Sequence, residues 1–499
     1  IRMEAWYEED ESRSKREKRM VFFIVAIALI VFAACVTLSL VVGILTSFDE
    51  IVYEDPVDPP FYQSITQSAL NNHLQQFETI AAQYSNSRSV NNGYNASVEY
   101  VKSQLQNNTN YNVYQQHFTI TEMIYSSSSL QQVSPVVQNY EEGSDYSIIE
   151  NSPSGSVDNV PVFPIDASGC FISHFDGFIA GRVALIQESN LCLLEIAVAN
   201  AEQSGAVLVL VHSDIKSSKP YSGELSSTTS NNIPVLGINY LLGTDLSSAL
   251  EPNISATVVG EEQTSYTSNL IAETASGSSD SIIIIGSHLD SVPAGPGIND
   301  NGSGSAVNLE LAIQTYQQAL ALENQIRFAW WGAEELGLLG SEFYVNSLTP
   351  QEKSKIRVNL NYDMLASSNY IRGVYNGSQA DPPITKSCTK IAQIYEEFFL
   401  DQNLKYQFTP FNGRSDYGPF LEANITAGGL KTGSNGMKTV AERTSFGGLA
   451  QAIYDPCYHQ ACDTLENVNQ EILMENAQAA ANILQVLASQ ADLNSYLAE

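Results

Sequence analysis

Short apolar runs alternate with longer segments of helical periodicity after residue 265. The runs that predict strands are 281–286, 326–331 and 357–362, and the segments that predict helices are 303–320, 335–347, 384–399 and 470–490. This order is typical of an α/β fold, with a mostly parallel, mixed sheet sandwiched between helices. Ligands of such sheets bind at the carboxyl ends of the strands, so we expect functional residues there.

The part of the chain before residue 265 shows a different pattern of predicted helices and strands. Helical spacing at 65–84 and 97–106 is followed by a strand-like run at 113–120 and a polar Ser-rich stretch. Short β runs then dominate up to about residue 260. The sequence therefore predicts an inserted β-rich domain at 156–265 within a discontinuous main domain formed by 63–155 and 266–499.

A run of 25 uncharged residues at 21–45 is long enough for a helix across a hydrocarbon core of roughly 30 Å. Basic residues precede it and acidic residues follow it, which favours a cytosolic amino terminus. We predict a single-pass type II membrane protein with a cytosolic tail (1–20), a transmembrane helix (21–45) and an acidic stalk (46–62). The rest would lie in a vacuolar or lysosomal lumen or outside the cell. A cleavable signal peptide is the alternative interpretation.

Charge excludes one class of partner. The chain has 23 basic and 55 acidic residues and a formal net charge of −32. Because it offers no basic surface to neutralise phosphates, we expect no nucleic acid partner. The acidic excess is typical of a solvated surface.

The cysteines fit a luminal or extracellular location. Two pairs are candidates for disulfides, Cys170 with Cys192 and Cys457 with Cys462, and Cys388 is left over. A thiolate metal site around His459 is the alternative for the second pair. Five asparagines begin sequons for N-glycosylation: Asn95, Asn107, Asn253, Asn376 and Asn424.

Potential metal ligands follow the predicted strands. They are His288, Asp290, Asp300, Glu334, Glu335, Asp363 and His459. Carboxylates and imidazoles suit zinc or a similar divalent ion. A pair of zinc ions about 3.5–4 Å apart needs a bridging carboxylate and terminal ligands on each side. Asp300 is the natural bridge, with His288 and Asp363 on one metal and Glu335 and His459 on the other.

Two further carboxylates have other expected roles. Asp290 is better placed to orient a metal-bound group than to be a ligand. Glu334 can take a proton from the attacking water and return it to a leaving amine. Each residue also has an ordinary interpretation, since paired glutamates favour helix starts and a loop histidine is usually on the surface. The coincidence of two of only six histidines with several carboxylates favours the metal site. Asn301 begins a sequon beside it, and we expect it to be unglycosylated.

Five ordered segments resemble the co-catalytic di-zinc aminopeptidase family that includes aminopeptidase Y-like enzymes. The resemblance covers roughly residues 65–490, and the insert resembles a protease-associated domain. The segments are GSHLDSVPAGPGINDNGSGSA, RFAWWGAEELGLLGSEFYVN, NLNYDM, GRSDYGPF and YHQACDT.

The resemblance implies a zinc exopeptidase fold, two zinc ions and peptide substrates with a free amino terminus. It implies the same ligand sets and Glu334 as general base, with Tyr458 at the oxyanion, Arg414, Glu334 and Asp363 near the substrate's amino end, and a cis peptide at Asp300–Asn301. We expect a monomeric ectodomain. A dipeptidase or glutamate-carboxypeptidase-like exopeptidase is the alternative, and a receptor ectodomain would need broken ligands.

Overall fold

The computed structural model describes residues 13, 15–16, 18–34, 59–165, 168–189, 191–213, 216–225 and 232–498. It has two units, Ile1–Pro59 and Pro60–Glu499. In the first, residues 18–34 are helical and apolar side chains such as Phe22 are exposed. Residues 35–58, which hold the rest of the predicted membrane span and most of the predicted stalk, lie outside the described residues. Among those described, no helix has both the length and the apolar character needed to cross a membrane.

The second unit is built on one large sheet. Its strands are β1 (Asn112–Ser134), β2 (Gln138–Tyr140), β3 (Tyr146–Ile148), β4 (Gly155–Pro164), β5 (Val183–Gln187), β6 (Leu208–His212), β7 (Val235–Ile238), β8 (Asn253–Glu273), β9 (Ser278–His288), β10 (Asn324–Trp331), β11 (Ile356–Tyr362), β12 (Gly373–Tyr375), β13 (Gln407–Thr409) and β14 (Ala427–Lys431).

Helices connect and cover these strands. They are α1 (Gln67–Gln83), α2 (Tyr94–Asn108), α3 (Leu194–Gln203), α4 (Tyr240–Ser248), α5 (Gly304–Gln317), α6 (Leu339–Ser347), α7 (Pro350–Lys353), α8 (Thr385–Asp401), α9 (Gly418–Glu422), α10 (Val440–Phe446), α11 (Gln470–Ala488) and α12 (Leu493–Ala498).

The strand order is β13-β12-β14-β11-β9-β10-β8-β4-β5-β6-β7-β3. β9 is parallel to both β10 and β11, and β11 is parallel to β14. β8 is antiparallel to β10 and continues into the inserted region, where it pairs with β4. The predicted α/β fold with a mixed sheet is therefore confirmed, and β9 lies in the middle of its parallel part.

Helices on both faces explain the sequence of β9. Ile283, Ile284 and Ile285 are fully buried although their side chains alternate between the two faces. Ile283 and Ile285 pack in the core that includes α1, α2, α5, α8 and α11, whereas Ile284 packs on the opposite face with Trp331. Burying each such side chain contributes about 1.5–3 kcal/mol. The end of β9 is thus held rigidly from both sides.

Two local predictions were wrong. The Ser-rich stretch after residue 120 continues β1 to Ser134, because β8 pairs with it along this length and supplies the backbone hydrogen bonds. The helix expected at 335 begins at Leu339, because Gly337 and Leu338 have positive φ, which is incompatible with a helix. Phe61, near the end of the predicted stalk, is buried.

The inserted region has hydrophobic clusters of its own. Val183 and Leu210 belong to a cluster on one face of β5–β7, and Val198 of α3 belongs to another on the opposite face. A disulfide joins Cys170 to Cys192 there, and a second joins Cys457 to Cys462. Cys388 is free and buried. Both predicted pairings are confirmed.

Alkylation tests the disulfides in solution. In the native, unreduced protein, none of the four disulfide-bonded cysteines should react with iodoacetamide. All four should react after reduction and unfolding. Peptide mass analysis identifies the labelled cysteines. Labelling of either pair before reduction would show that this pair is not formed.

Candidate metal centre

The predicted ligands meet where parallel strands end. His288 is the last residue of β9, and Asp363 directly follows β11. Glu334 and Glu335 lie in the turn after β10, and Asp300 lies in the segment between β9 and α5. Another predicted ligand, His459, comes from the loop between α10 and α11 and has a positive φ of 56°. The sheet therefore gathers residues that are up to 171 positions apart, counted from 288 to 459.

Two groups of ligand atoms share Asp300. One consists of His288, Asp300 and Asp363, and the other of Asp300, Glu335 and His459, each with ligand atoms within 4.8 Å of one another. Oδ1 of Asp300 lies 3.3 Å from Nε2 of His288, and its Oδ2 lies 3.3 Å from Nε2 of His459. The two oxygens of one carboxylate thus belong to different groups, as a bridging ligand requires.

Unpartnered atoms show that the site fits cations. Oδ1 of Asp363 and Oε1 of Glu335 have no hydrogen-bond partner, although they are buried. Leaving such atoms unsatisfied is costly. Zinc accepts both donor types in this set, nitrogen and carboxylate oxygen. The residues present therefore suit a pair of divalent cations.

The other atoms of these side chains are held by the protein. Nδ1 of His288 donates to the carbonyl of Asp290 at 3.2 Å, which leaves Nε2 as the lone-pair nitrogen. Oδ2 of Asp363 accepts from the hydroxyl of Ser415 at 2.7 Å and from Lys431 at 3.3 Å, which leaves Oδ1 toward His288. The two remaining atoms, Nε2 of His288 and Oδ1 of Asp363, lie 3.7 Å apart within the first ligand group.

Asp290 connects two ligand-bearing segments. Its two carboxylate oxygens accept from the backbone nitrogens of Glu334 and Glu335, each at 3.2 Å. It is buried behind the ligand groups and belongs to neither of them. Asp290 thereby fixes the turn after β10 relative to the end of β9.

Asp463 fixes the backbone at Asp300 in a similar way. Its oxygens accept from the backbone nitrogens of Asn299 and Asp300, both at 2.9 Å. Burial, followed by the neighbouring Asp455, raises the pKa of Asp463 to about 7. The peptide bond between Asp300 and Asn301 is cis, as the resemblance implied.

The glycines that follow Asp300 allow close packing. A Cβ on Gly304 would lie 2.2 Å from the carbonyl oxygen of Tyr362, and one on Gly302 would lie 3.2 Å from the carbonyl oxygen of Gly297. Asn301 is fully buried and donates to the carbonyl of Tyr362 at 2.8 Å. A glycan on this side chain has no room, in agreement with the expectation.

Buried carboxylates dominate the electrostatics. Burial works to lower the pKa of His288, but Glu334 and the neighbouring carboxylates outweigh it and raise that pKa well above its usual value. The pKa of His459 is raised well above its usual value in the same way, with Glu335 as the first opposing cause. Burial raises the pKa of Glu334 itself. The neighbouring carboxylates thus favour the protonated form of both histidines.

Zinc binding is therefore expected to weaken as the pH falls. Both histidines must lose a proton to bind a cation, and their raised pKa values extend this competition above the ordinary histidine pKa of about 6.5. The zinc dissociation constant of metal-free protein should increase steadily from about pH 8 to about pH 6. A constant value across this range would contradict the proton competition.

Tyr458 and Arg414 lie at the edge of this site. The ring of Tyr458 stacks on that of His459 with centroids 3.8 Å apart. Burial, with Asp300 and Glu335, raises the pKa of Tyr458 well above its usual value, so its hydroxyl remains a donor. Arg414 is exposed, between β13 and α9, and its charge acts on Tyr458.

Three residues that contact the candidate metal centre were not predicted from the sequence. Asp463 lies in the same YHQACDT segment as His459, and this carboxylate in a ligand-bearing segment was a signal that could have been used. Ser415 is in GRSDY, but nothing in the sequence connects it to Asp363. Lys431 ends β14, whose pairing with β11 is known only from the structure.

Comparisons with known proteins identify the family of the chain. Residues 269–484 match the model of peptidase family M28, and residues 156–246 match that of the PA domain. An aminopeptidase of Pseudomonas aeruginosa is 36% identical over 427 residues, covering 82% of this chain and 78% of the relative. Leucine aminopeptidase 2 of Trichophyton rubrum is 32% identical over 465 residues, covering 89% and 90%.

Solved structures show the same fold. The aminopeptidase from Aneurinibacillus sp. strain AM-1 has a TM-score of 0.66 at 23% identity, covering 85% of this chain and 95% of that one. The zinc aminopeptidase from Bacillus subtilis has a TM-score of 0.60 at 23% identity, covering 84% and 95%. By its fold and its site, this chain belongs to the class of metallopeptidases with an inserted PA domain. Within that class, the chain belongs to peptidase family M28, among its aminopeptidases.

Proposed function

We propose that this chain is a zinc-dependent aminopeptidase that removes the amino-terminal residue from peptides with two zinc ions. The observation that carries the proposal is the division of the two Asp300 oxygens between two ligand groups, with Glu334 beside them. A carboxylate shared in this way suits two neighbouring cations.

Each ligand group would hold one ion. His288, Asp363 and Oδ1 of Asp300 would bind the first, and Glu335, His459 and Oδ2 of Asp300 the second. When bound, zinc would polarise the substrate carbonyl and acidify the attacking water. Asp290 and Asp463 would keep the ligand segments in place through the backbone hydrogen bonds described above.

Glu334 is the proposed general base. Its Oε2 lies 3.9 Å from Nε2 of His288, and its side chain is 12% exposed, so it is next to the ligands without being one of them. Its carboxylate would accept the proton of the attacking water and deliver it to the nitrogen of the leaving peptide. A pKa raised by burial makes this carboxylate a stronger base.

The remaining roles concern the substrate. Tyr458, which stays protonated, would donate to the carbonyl oxygen of the scissile bond. Glu334 and Asp363 would attract the positively charged amino terminus. Arg414 would lie beside this amino end, where a guanidinium can donate only to acceptors such as a substrate carbonyl.

The domain limits and the cellular location are also proposals. We assign 63–155 and 266–499 to the peptidase domain and 156–265 to the protease-associated domain. Disulfides indicate an extracellular or luminal enzyme. We propose that residues 21–45 anchor it to a membrane; the exposed apolar side chains of the helix at 18–34 support this. Extraction of the full chain from membranes by alkaline carbonate alone would contradict an anchor.

N-glycosylation is a further proposal for an enzyme in that location. Three of the five proposed sites, Asn95, Asn107 and Asn424, are exposed, and Asn253 and Asn376 are partly exposed. We propose that all five can carry glycans.

The activity is tested with three substrates. The purified chain should hydrolyse a leucyl arylamide with a free amino group and leave the N-acetylated counterpart uncleaved. An acidic dipeptide tests the dipeptidase alternative. Equal cleavage of free and acetylated substrates, or preference for the acidic dipeptide, would contradict an aminopeptidase.

A further inference from the structure

Arg88 lies in the turn between α1 and α2, 200 positions before His288 in the sequence. We propose that Arg88 is a positioning residue that holds the loop between two metal ligands in its metal-binding shape. This ligand loop is residues 289–297, which connect His288 at the end of β9 to the segment that carries Asp300. The inference rests on the proposed metal site but concerns a residue that touches neither metal nor substrate.

The guanidinium of Arg88 donates three hydrogen bonds to the backbone of the ligand loop. Its Nε donates to the carbonyl of Pro296 at 2.8 Å, its Nη2 to that of Gly297 at 2.5 Å, and its Nη1 to that of Leu289. The side chain is fully buried, and its guanidinium carbon lies 5.2 Å from the ring centroid of Phe77 in α1. Both ends of the loop are therefore tied to one rigid planar group.

The main chain adds a further connection. The backbone nitrogen of Arg88 donates to the hydroxyl of Ser291 at 3.0 Å, and that hydroxyl in turn donates to the carbonyl of Gly295 at 2.9 Å. Ser87 donates to the carbonyl of Val292 at 3.2 Å. The turn after α1 thus holds the loop along most of its length.

The backbone of Asp300 and the side chain of Arg88 lie too close to Gly297 for a residue with a side chain at position 297. Gly297 has φ 60°, and a Cβ there would lie 2.2 Å from the carbonyl oxygen of Asp300 and 3.2 Å from Nη2 of Arg88. The carbonyl that Arg88 binds therefore belongs to a residue packed directly against the backbone of the bridging ligand. A shift of this loop would move Asp300.

Charge supports the same role. Burial lowers the pKa of Arg88 to about 10, while Asp290, Asp463 and Asp300 oppose this decrease, so it stays protonated at neutral pH. A buried cation is costly unless its donors are satisfied. Here the hydrogen bonds go to carbonyl oxygens, and the charge remains available to balance the nearby ligand carboxylates before a metal binds.

Lysine cannot reproduce this arrangement. Its ammonium is a compact point charge, whereas three carbonyls spread over the loop require the planar fork of arginine. In Arg88→Lys, at least one buried carbonyl loses its donor, and the loop is free to relax. Changes in groups that orient metal ligands typically weaken metal affinity by about 10–100-fold.

The test measures zinc binding by the metal-free full chain. Chelator competition gives the zinc dissociation constants of the unmodified protein, Arg88→Lys, Ser291→Ala and the control Lys102→Gln, in which a partly exposed lysine of α2 is changed. We expect Arg88→Lys to raise the dissociation constant by about 10–100-fold. Ser291→Ala, which retains the guanidinium, should raise it less, and Lys102→Gln should not change it.

Kinetics at saturating zinc distinguish positioning from catalysis. The Arg88→Lys variant, fully loaded with zinc, should keep its KM and most of its kcat, because Arg88 contacts no substrate. Unchanged zinc affinity in Arg88→Lys, or in Ser291→Ala if the first variant does not fold, would overturn the inference. If the unmodified chain itself binds no zinc, the proposed function fails; if it binds two ions and the variants bind equally well, only the role of Arg88 fails.

Discussion

Glu334→Gln is expected to lower kcat by about a hundredfold to ten-thousandfold, the usual contribution of a positioned general base. Glutamine keeps the size of the side chain but cannot accept the proton of the attacking water. Because Glu334 belongs to neither ligand group, both zinc ions should stay bound. The measurements are kcat on a leucyl arylamide and the zinc content of the same sample.

An exposed glutamate provides the control. Glu99, in α2, has a side chain that is 64% exposed, and Glu99→Gln removes the same charge away from the site. It should leave kcat and zinc content unchanged. If Glu334→Gln loses zinc, Glu334 is a structural or ligating residue, and if it retains full activity, the base lies elsewhere.

Asp300→Asn should abolish activity by removing the bridge between the two ligand groups. Asparagine offers one neutral oxygen, whereas the aspartate presents one oxygen to His288 and the other to His459, each at 3.3 Å. The loss of charge and of one donor affects both groups together. We therefore expect the purified variant to contain clearly less zinc than the unmodified protein and to show no detectable hydrolysis of the arylamide.

The control for this variant is Asp381→Asn, which changes an exposed aspartate before α8. A melting temperature measured without metal shows whether Asp300→Asn still folds. If the folded variant keeps two zinc ions and its activity, Asp300 does not bridge them.

Strand ends made the clustering of the proposed ligands predictable. His288 and Asp363 stand at the ends of β9 and β11, and their place follows from the strand pattern alone. The contacts that hold these two residues in place do not follow from the strand pattern. Arg88 is separated from the loop it binds by about 200 positions, and Lys431 reaches Asp363 only because β14 pairs with β11. Such contacts depend on tertiary packing, for which the sequence has no periodic signal.

The turn after β10 shows a second limit. Glu334 and Glu335 looked like the first residues of a helix, but the helix starts at Leu339. Gly337 favours the positive φ that it adopts in this turn, but Ala333 and Leu338 also adopt positive φ although neither is glycine. Hydrogen bonds donated by the backbone nitrogens of both glutamates to the carboxylate of Asp290 stabilise the turn instead. The β1 extension was missed for a similar reason, since its partner strand β8 lies more than a hundred positions away.

Metal analysis is the most direct test of the two-ion site. The full chain, purified without chelators and exchanged into zinc-free buffer, should contain close to two zinc equivalents per chain, and chelation should remove the ions and the activity together. One equivalent with full activity, or no metal with activity intact, would contradict a site in which Asp300 bridges two ions.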